Sequence, residues 1–193
     1  MTAQPESTPV SPPAIEASAF ILKDSSGTVR ARLGIDDEDK TNLIFYAPDG
    51  KVRAVLGTFD DGEPYLEFCD ERENTGFYAG ILEDNPGVFL FSREGAVRVM
   101  FSADADGTGR AMVTAGPEGP LVSLYAKENA EGLLLIKDAK GKEAFLLKAD
   151  ADGTRVLNLS DREGEDRLGL WISKECVPGF TMLDEGGEGI IGY

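Results

Sequence analysis

Glycine recurs along this chain with a period of 23 residues. Gly27, Gly50, Gly95, Gly141, Gly164 and Gly187 are separated by 23, 45, 46, 23 and 23 positions, which is one single-residue slip from a strict repeat. Such a period outranks any local signal, because each repeat is one supersecondary unit that buries its apolar side only against its neighbours. Extending the register gives eight repeats between Phe20 and Tyr193. Positions two and four residues ahead of each turn test it, beginning with Phe20 and Leu22, then Leu43 and Phe45, and ending with Phe180 and Met182. All sixteen such positions are apolar in a chain that is 41% hydrophobic overall, an agreement that chance does not supply.

Alternation with period two marks strands with one face buried. A second alternating run follows each turn: Val29, Ala31 and Leu33 around Arg30 and Arg32, then Val52, Ala54 and Leu56 around Arg53. Each repeat therefore predicts two strands. The turn Asp24-Ser25-Ser26-Gly27 returns as Asp138 to Gly141, Asp161 to Gly164 and Asp184 to Gly187. Its leading Asp accepts local backbone hydrogen bonds and its closing Gly tolerates a left-handed backbone, which is hairpin chemistry. A second set of turns, Asp60 to Pro64, Asp84 to Gly87, Asp104 to Gly107 and Asp150 to Gly153, keeps the same period. In the third and fifth repeats Asn74-Thr75-Gly76 and Gly116-Pro117-Glu118-Gly119 are expected to stand in for the first turn.

The expected fold class is all-β: eight tandem two-strand repeats of about 23 residues in an antiparallel meander. A flat open sheet of sixteen strands would accumulate twist and offer its edges to other chains, so the meander is expected to be rolled or spiralled. A closed barrel of that size would leave a lumen that small residues such as Ala31 and Ala54 could not fill. Two alternatives stand beside the rolled meander. One is a set of four propeller-like blades of about 46 residues, favoured by the recurrence of Ala-Asp-Ala-Asp-Gly-Thr at Ala103 and Ala149; the other is a parallel β-solenoid. Residues 1–17 read as a disordered, Pro-rich leader, with Pro5, Pro9, Pro12 and Pro13 among small polar residues that bury too little to offset ordering. The repeat domain covers 18–193.

Against 19 basic residues stand 35 acidic ones, a net charge of −16 that excludes a phosphate-binding surface and hence nucleic acid. Of the 35 acids, 28 lie in or beside predicted turns, so the charge is a by-product of hairpin chemistry repeated along the chain. The absence of His removes imidazole as base or metal ligand. Cys69 and Cys176, 107 residues apart, make neither a disulfide scaffold nor a zinc pair. No run approaches the roughly 18 apolar residues of a membrane span, and no basic start followed by an apolar stretch opens the chain. A soluble protein without membrane insertion or signal peptide is expected, its compartment left open.

The string Asp24-Ser-Ser-Gly-Thr-Val-Arg-Ala-Arg-Leu-Gly34 and its echo Ala47-Pro-Asp-Gly-Lys-Val-Arg-Ala-Val-Leu-Gly57 resemble tandem bacterial repeats of the pattern L-x-L-x-D-x-x-G-K-x-R-A-x-L-G-x-x-x-D-G. That resemblance spans most of 18–193. It implies β-hairpin repeats of unassigned function, often found in surface-attached or secreted bacterial proteins. The layout is also loosely similar to the YD repeats of toxin-encapsulating shells, whose hairpins wind into a spiralling sheet, although the Tyr-Asp pair is absent here. Neither family brings catalytic residues.

Candidate chemistry is sparse. Arg30, Arg53, Arg98 and Arg167 share one repeat position, as a ladder for anionic ligands or as partners of the neighbouring acids. Asp104 and Asp106, and again Asp150 and Asp152, resemble the opening of a calcium loop. Thr108 and Thr154 then stand where a third acid is needed, so the hairpin turn is the stronger reading and no cofactor beyond that calcium is considered. No nucleophile beside a base, phosphate loop or metal cluster points to an enzyme. Tyr46, Phe89, Phe91 and Trp171 lie on strand positions facing away from the repeated apolar pair, marking an aromatic-rich face. The expected function is a non-enzymatic structural or protein-interaction module that docks a partner, or further copies of itself in a homo-oligomer, through that face. The alternative is a propeller-like lectin binding glycans at repeated pockets.

Overall fold

A computed structural model of the chain describes residues 15–116, 119–129 and 131–192. Residues 1–14 of the Pro-rich leader, with Pro117 and Glu118 of the fifth turn, lie outside the described residues. The described fold is all-β, with sixteen strands. The first half comprises β1 (Ala19–Lys23), β2 (Val29–Ile35), β3 (Thr41–Tyr46), β4 (Val52–Thr58), β5 (Pro64–Cys69), β6 (Thr75–Leu82), β7 (Asn85–Phe91) and β8 (Val97–Ala103). The second half comprises β9 (Gly109–Thr114), β10 (Leu121–Ala126), β11 (Gly132–Lys137), β12 (Glu143–Ala149), β13 (Arg155–Ser160), β14 (Asp166–Ile172), β15 (Pro178–Leu183) and β16 (Gly189–Gly192). They form one antiparallel sheet in strict sequence order, with β1 and β16 as its edges. The eight tandem hairpins are present as one continuous meander, not closed into a barrel. Separate propeller blades and a parallel solenoid are both excluded by that topology. Among the described residues no helix is long and apolar enough to cross a membrane.

The first turns form as their sequence dictates. Asp24 N–H donates to the Thr28 carbonyl at 2.9 Å and Gly27 N–H to the Asp24 carbonyl at 3.0 Å, and the same pair of bonds closes the turns headed by Asp138, Asp161 and Asp184. The side chain adds two more. Asp24 Oδ1 accepts the N–H of Ser26 at 2.9 Å and of Thr28 at 3.0 Å; Asp70, Asp138, Asp161 and Asp184 repeat this double acceptance, and Asp36 does so in a second turn. The fourth turn residue has a left-handed backbone, with φ of 75° at Gly141.

Two turns depart from the sequence reading. In the third repeat the turn is Asp70–Glu73, with Glu73 at φ 66° in glycine's place, while Thr75 and Gly76 belong to β6. The Asn74-Thr75-Gly76 stretch therefore does not replace the turn. Between β6 and β7 the connection is only Glu83-Asp84, with φ of 52° and 63°, and Asn85, Pro86 and Gly87 are strand residues. This two-residue turn accounts for the 45-residue interval that interrupts the period.

At seven of the eight first turns the register shifts just inside the hairpin, as between Leu22 and Lys23 or Leu159 and Ser160. A bulge re-aims side chains. Thr75 and Asp166 would, by unbroken alternation, share a face with Phe77 and Leu168. Instead the Thr75 hydroxyl donates to Glu67 on the opposite face, and Asp166 accepts from Asn158 Nδ2 at 2.7 Å and Ser160 Oγ at 2.9 Å there.

The sheet thus has two unlike faces. One carries two inner residues from each of β1 to β15, paired as Phe20 with Leu33, Leu33 with Leu43, Leu43 with Leu56 and onward to Leu170 with Phe180; all thirty are apolar. The sequence reading places this apolar pair on the buried side. The structure leaves it open, because no strand approaches any but its sequence neighbours within 8 Å. Sixteen of the thirty are 37–66% exposed, and only Ala31, Ala47 and Val55 are buried among the described hydrophobic residues. The chain exposes 13429 Å², against about 8,900 Å² for a compact monomer of 20.7 kDa.

The positive-φ turn positions generate a stability test. A Cβ at Gly141 would meet nothing within 4 Å, so Gly141→Ala should cost only the left-handed backbone penalty, about 1–2 kcal/mol. Cys176 occupies the equivalent position at φ 63°, and Cys176→Gly should raise stability by about 1 kcal/mol. Urea midpoints moving in opposite directions for the two variants are the expected result.

Candidate functional site

The open apolar face is the largest feature the strands assemble. Outside its two inner rungs lies a third, toward the second turns, that includes Ile35, Thr58, Ile81, Ala103, Ala126 and Ile172; Arg155 is its one charged member among the described residues. Among the described residues no acid stands on any of the three rungs. Small residues hollow the middle of the face. Ala79, Ala103 and Ala111, with Gly109, leave a shallow groove of about 870 Å³ bordered by Val88, Phe101 and Leu124.

The aromatic residues singled out from sequence stand on the opposite face, all half-buried. Phe89 and Phe91 come together with ring centroids 6.4 Å apart, whereas Tyr46 on β3 and Trp171 on β14 are separated from them along the sheet. Three rings absent from the sequence reading extend the pair. Phe59 stacks on Tyr65 at 4.5 Å, Tyr65 on Tyr78 at 6.3 Å, and Tyr78 tilts against Phe89 at 5.9 Å. Tyr78 and Phe89 are direct cross-strand partners, a relation visible in sequence only once the two-residue turn between them is recognised. These rings cover their own sheet. A Cβ at Gly179 would fall 2.3 Å from the Trp171 ring and one at Gly87 2.5 Å from the Phe89 ring, so each indole or phenyl lies flat over a neighbouring glycine. Burial pushes the Tyr65 and Tyr78 hydroxyls above their ordinary titration range. Beside them a hollow of about 570 Å³ is lined by Glu67, Glu73 and Thr75.

The charged candidates are engaged in the turns. Arg30 pairs with Asp24 at 3.5 Å and donates to the Tyr46 carbonyl at 3.3 Å. Arg53 donates to the Asp70 carbonyl, and Arg167 pairs with Asp161 at 2.7 Å while donating to the Glu185 carbonyl at 3.3 Å. Each thereby ties one hairpin to the next. Arg98 differs: its Nη1 is buried without a hydrogen-bond partner among the described residues. Of the four calcium candidates, Asp104 is ion-paired with Arg110 and Asp150 with Lys148 at 2.7 Å. Asp106 and Asp152 accept the N–H of Thr108 and Thr154, each at 2.9 Å. Both Ala-Asp-Ala-Asp-Gly-Thr strings are hairpin turns, and no group of three or more acidic or cysteine side chains is placed to hold a metal among the described residues. Cys69 and Cys176 are both free thiols.

No family model matches the chain, and no curated protein matches it.

Hydrogen bonding in the turns has a pH signature. Backbone N–H groups are the largest cause holding Asp36, Asp70, Asp152 and Asp161 below the usual 3.8, and the hydroxyls of Ser26 and Thr108 do the same for Asp24 and Asp106. Unfolding returns each to 3.8. Their stabilisation is therefore complete above that value and drains away as pH falls through the lower folded values. The melting temperature should drop between about pH 4 and about pH 2, and Asp70→Asn with Asp161→Asn should flatten the fall. A level melting temperature across that window in the parent chain would contradict this account.

Proposed function

We propose that this chain is a non-enzymatic β-hairpin repeat module that works by docking, with the apolar face as its working surface and protein as its partner. The uncovered face carries this reading. It runs the width of sixteen strands, whereas monomeric proteins rarely expose an apolar patch beyond a few hundred Å², and larger ones mark interaction sites. The working surface is thus the face opposite Tyr46, Phe89, Phe91 and Trp171, whose rings are occupied in covering their own side of the sheet. Resemblance to tandem hairpin repeats of surface-attached and secreted bacterial proteins supports the same reading, since solenoid-like arrays use their length to present extended binding surfaces. The acidic turns make nucleic acid an unsuitable partner. Engagement of the carboxylates and arginines in turn bonds supports a role outside catalysis.

Phe101→Lys combined with Leu124→Lys tests this. These side chains are 55% and 50% exposed at the centre of the face. The parent chain should either bind 8-anilinonaphthalene-1-sulfonate on that face or hold it covered in an assembly. In either state the double variant should lose several-fold in dye fluorescence or in assembled mass while keeping its β circular dichroism. A variant equal to the parent in both measurements would overturn the reading.

A further inference from the structure

We propose that a second copy of this chain closes the apolar face, the two sheets packing face to face as a two-layer sandwich. This rests on the docking reading above and names its partner.

Three observations select a second copy. The first is area. Fifteen inter-strand steps of about 4.8 Å and two same-face steps of about 6.8 Å give a face of roughly 1,000 Å². A pair would bury about 2,000 Å², the size at which stable and obligate interfaces meet. The second is charge. A partner recognised by charge needs an oppositely charged rung, yet among the described residues this face offers only Arg155; the acids lie in the turns that rim it, where an anionic bilayer would be repelled. The third is size complementarity. The groove lies under β6 to β10, so it is centred on the middle of sixteen strands, where a two-fold axis along the β8–β9 junction would pass. Because Phe101 and Ala111 are cross-strand partners, that axis sets Phe101 of each copy over Ala111 of the other. It likewise sets Leu134 over Ala79 and Leu159 over Ala54, large against small as packed layers require.

Edge pairing is the competing mode of self-association, and the edges are blunt: β1 has five residues and β16 four, of which two are glycine. A face-to-face pair is closed and stops at two.

Sedimentation equilibrium of the 193-residue chain at micromolar concentration should give twice 20.7 kDa. Leu124→Lys should return it to the single-chain mass, and Ala105→Lys, the same charge change in an exposed turn, should leave the pair intact. Since both copies carry −16, raising salt from about 0.01 M to about 0.15 M should tighten the pair several-fold by screening the rims. Methionine oxidation gives a readout that needs no variant. Met182, on the apolar face, should gain reactivity several-fold on dilution, while Met100 and Met112 on the other face should not. A single-chain mass, a mass other than two chains, open-ended growth, or uniform methionine reactivity would overturn the pair. A monomer whose dye binding is lost in the Phe101 and Leu124 double variant would overturn the second copy alone and leave the docking reading standing. A monomer without such binding would overturn both.

Discussion

Register is the constraint on which this molecule depends. Side chains alternate with period two, so a slip of one residue at any hairpin would carry that strand's apolar set to the other face. Fifteen junctions must therefore be held in step. Five of the eight first turns use a carboxylate for this: an aspartate that accepts two backbone N–H groups, as Asp24 accepts those of Ser26 and Thr28, fixes where the chain reverses. The bulge beside seven of the eight first turns then adjusts the outcome. Without it Asp166 would share a face with Leu168; with it the carboxylate is turned to Asn158 and Ser160. Turn chemistry and bulge together keep every acid off the apolar face.

Holding register does not supply a core. Each strand touches only the one before it and the one after it, so the array is close to one-dimensional, its stability a sum of hairpins and nearest-neighbour interfaces. The arginines lengthen that coupling slightly by tying one hairpin to the carbonyls of the next, as Arg167 does to Glu185. They do not bury the thirty apolar side chains. A layered domain buries each apolar face against another element, and the described residues offer none to this sheet. The two faces differ in this: on the mixed side Trp171 and Phe89 lie over glycines of their neighbouring strands, while on the apolar side sixteen of the thirty inner side chains stay 37–66% exposed.

Much of this was legible in the sequence. The glycine period predicted eight hairpins, the apolar pairs from Phe20 and Leu22 to Phe180 and Met182 identified which residues share a face, and the Asp-x-x-Gly strings located most turns. What alternation cannot convey is what lies over a face, since a strand with one side open and a strand with that side buried read alike. Alternation thus predicts the apolar pairs as the buried side, whereas the structure opens that face and half-buries the aromatic one. Local exceptions escaped for a different reason. Glu73 adopts glycine's backbone without being glycine, and Pro86 sits within a strand opposite Ile81, so residue type misplaced both turns. The rings of Phe59, Tyr65 and Tyr78 were missed because they meet one another and Phe89 only across strands.

The segregation of charge links these parts. A chain of net charge −16 that has one uncharged face has placed its repulsion at the ends of its strands. There the acids earn their position by accepting turn hydrogen bonds, and there they stay solvated whatever covers the sheet. The central rungs are left free of any group whose desolvation would oppose burial. Turn acids and an open apolar face are thus two consequences of one repeat: the same 23 residues that require an aspartate to reverse the chain also deliver two apolar side chains from each strand to a common surface.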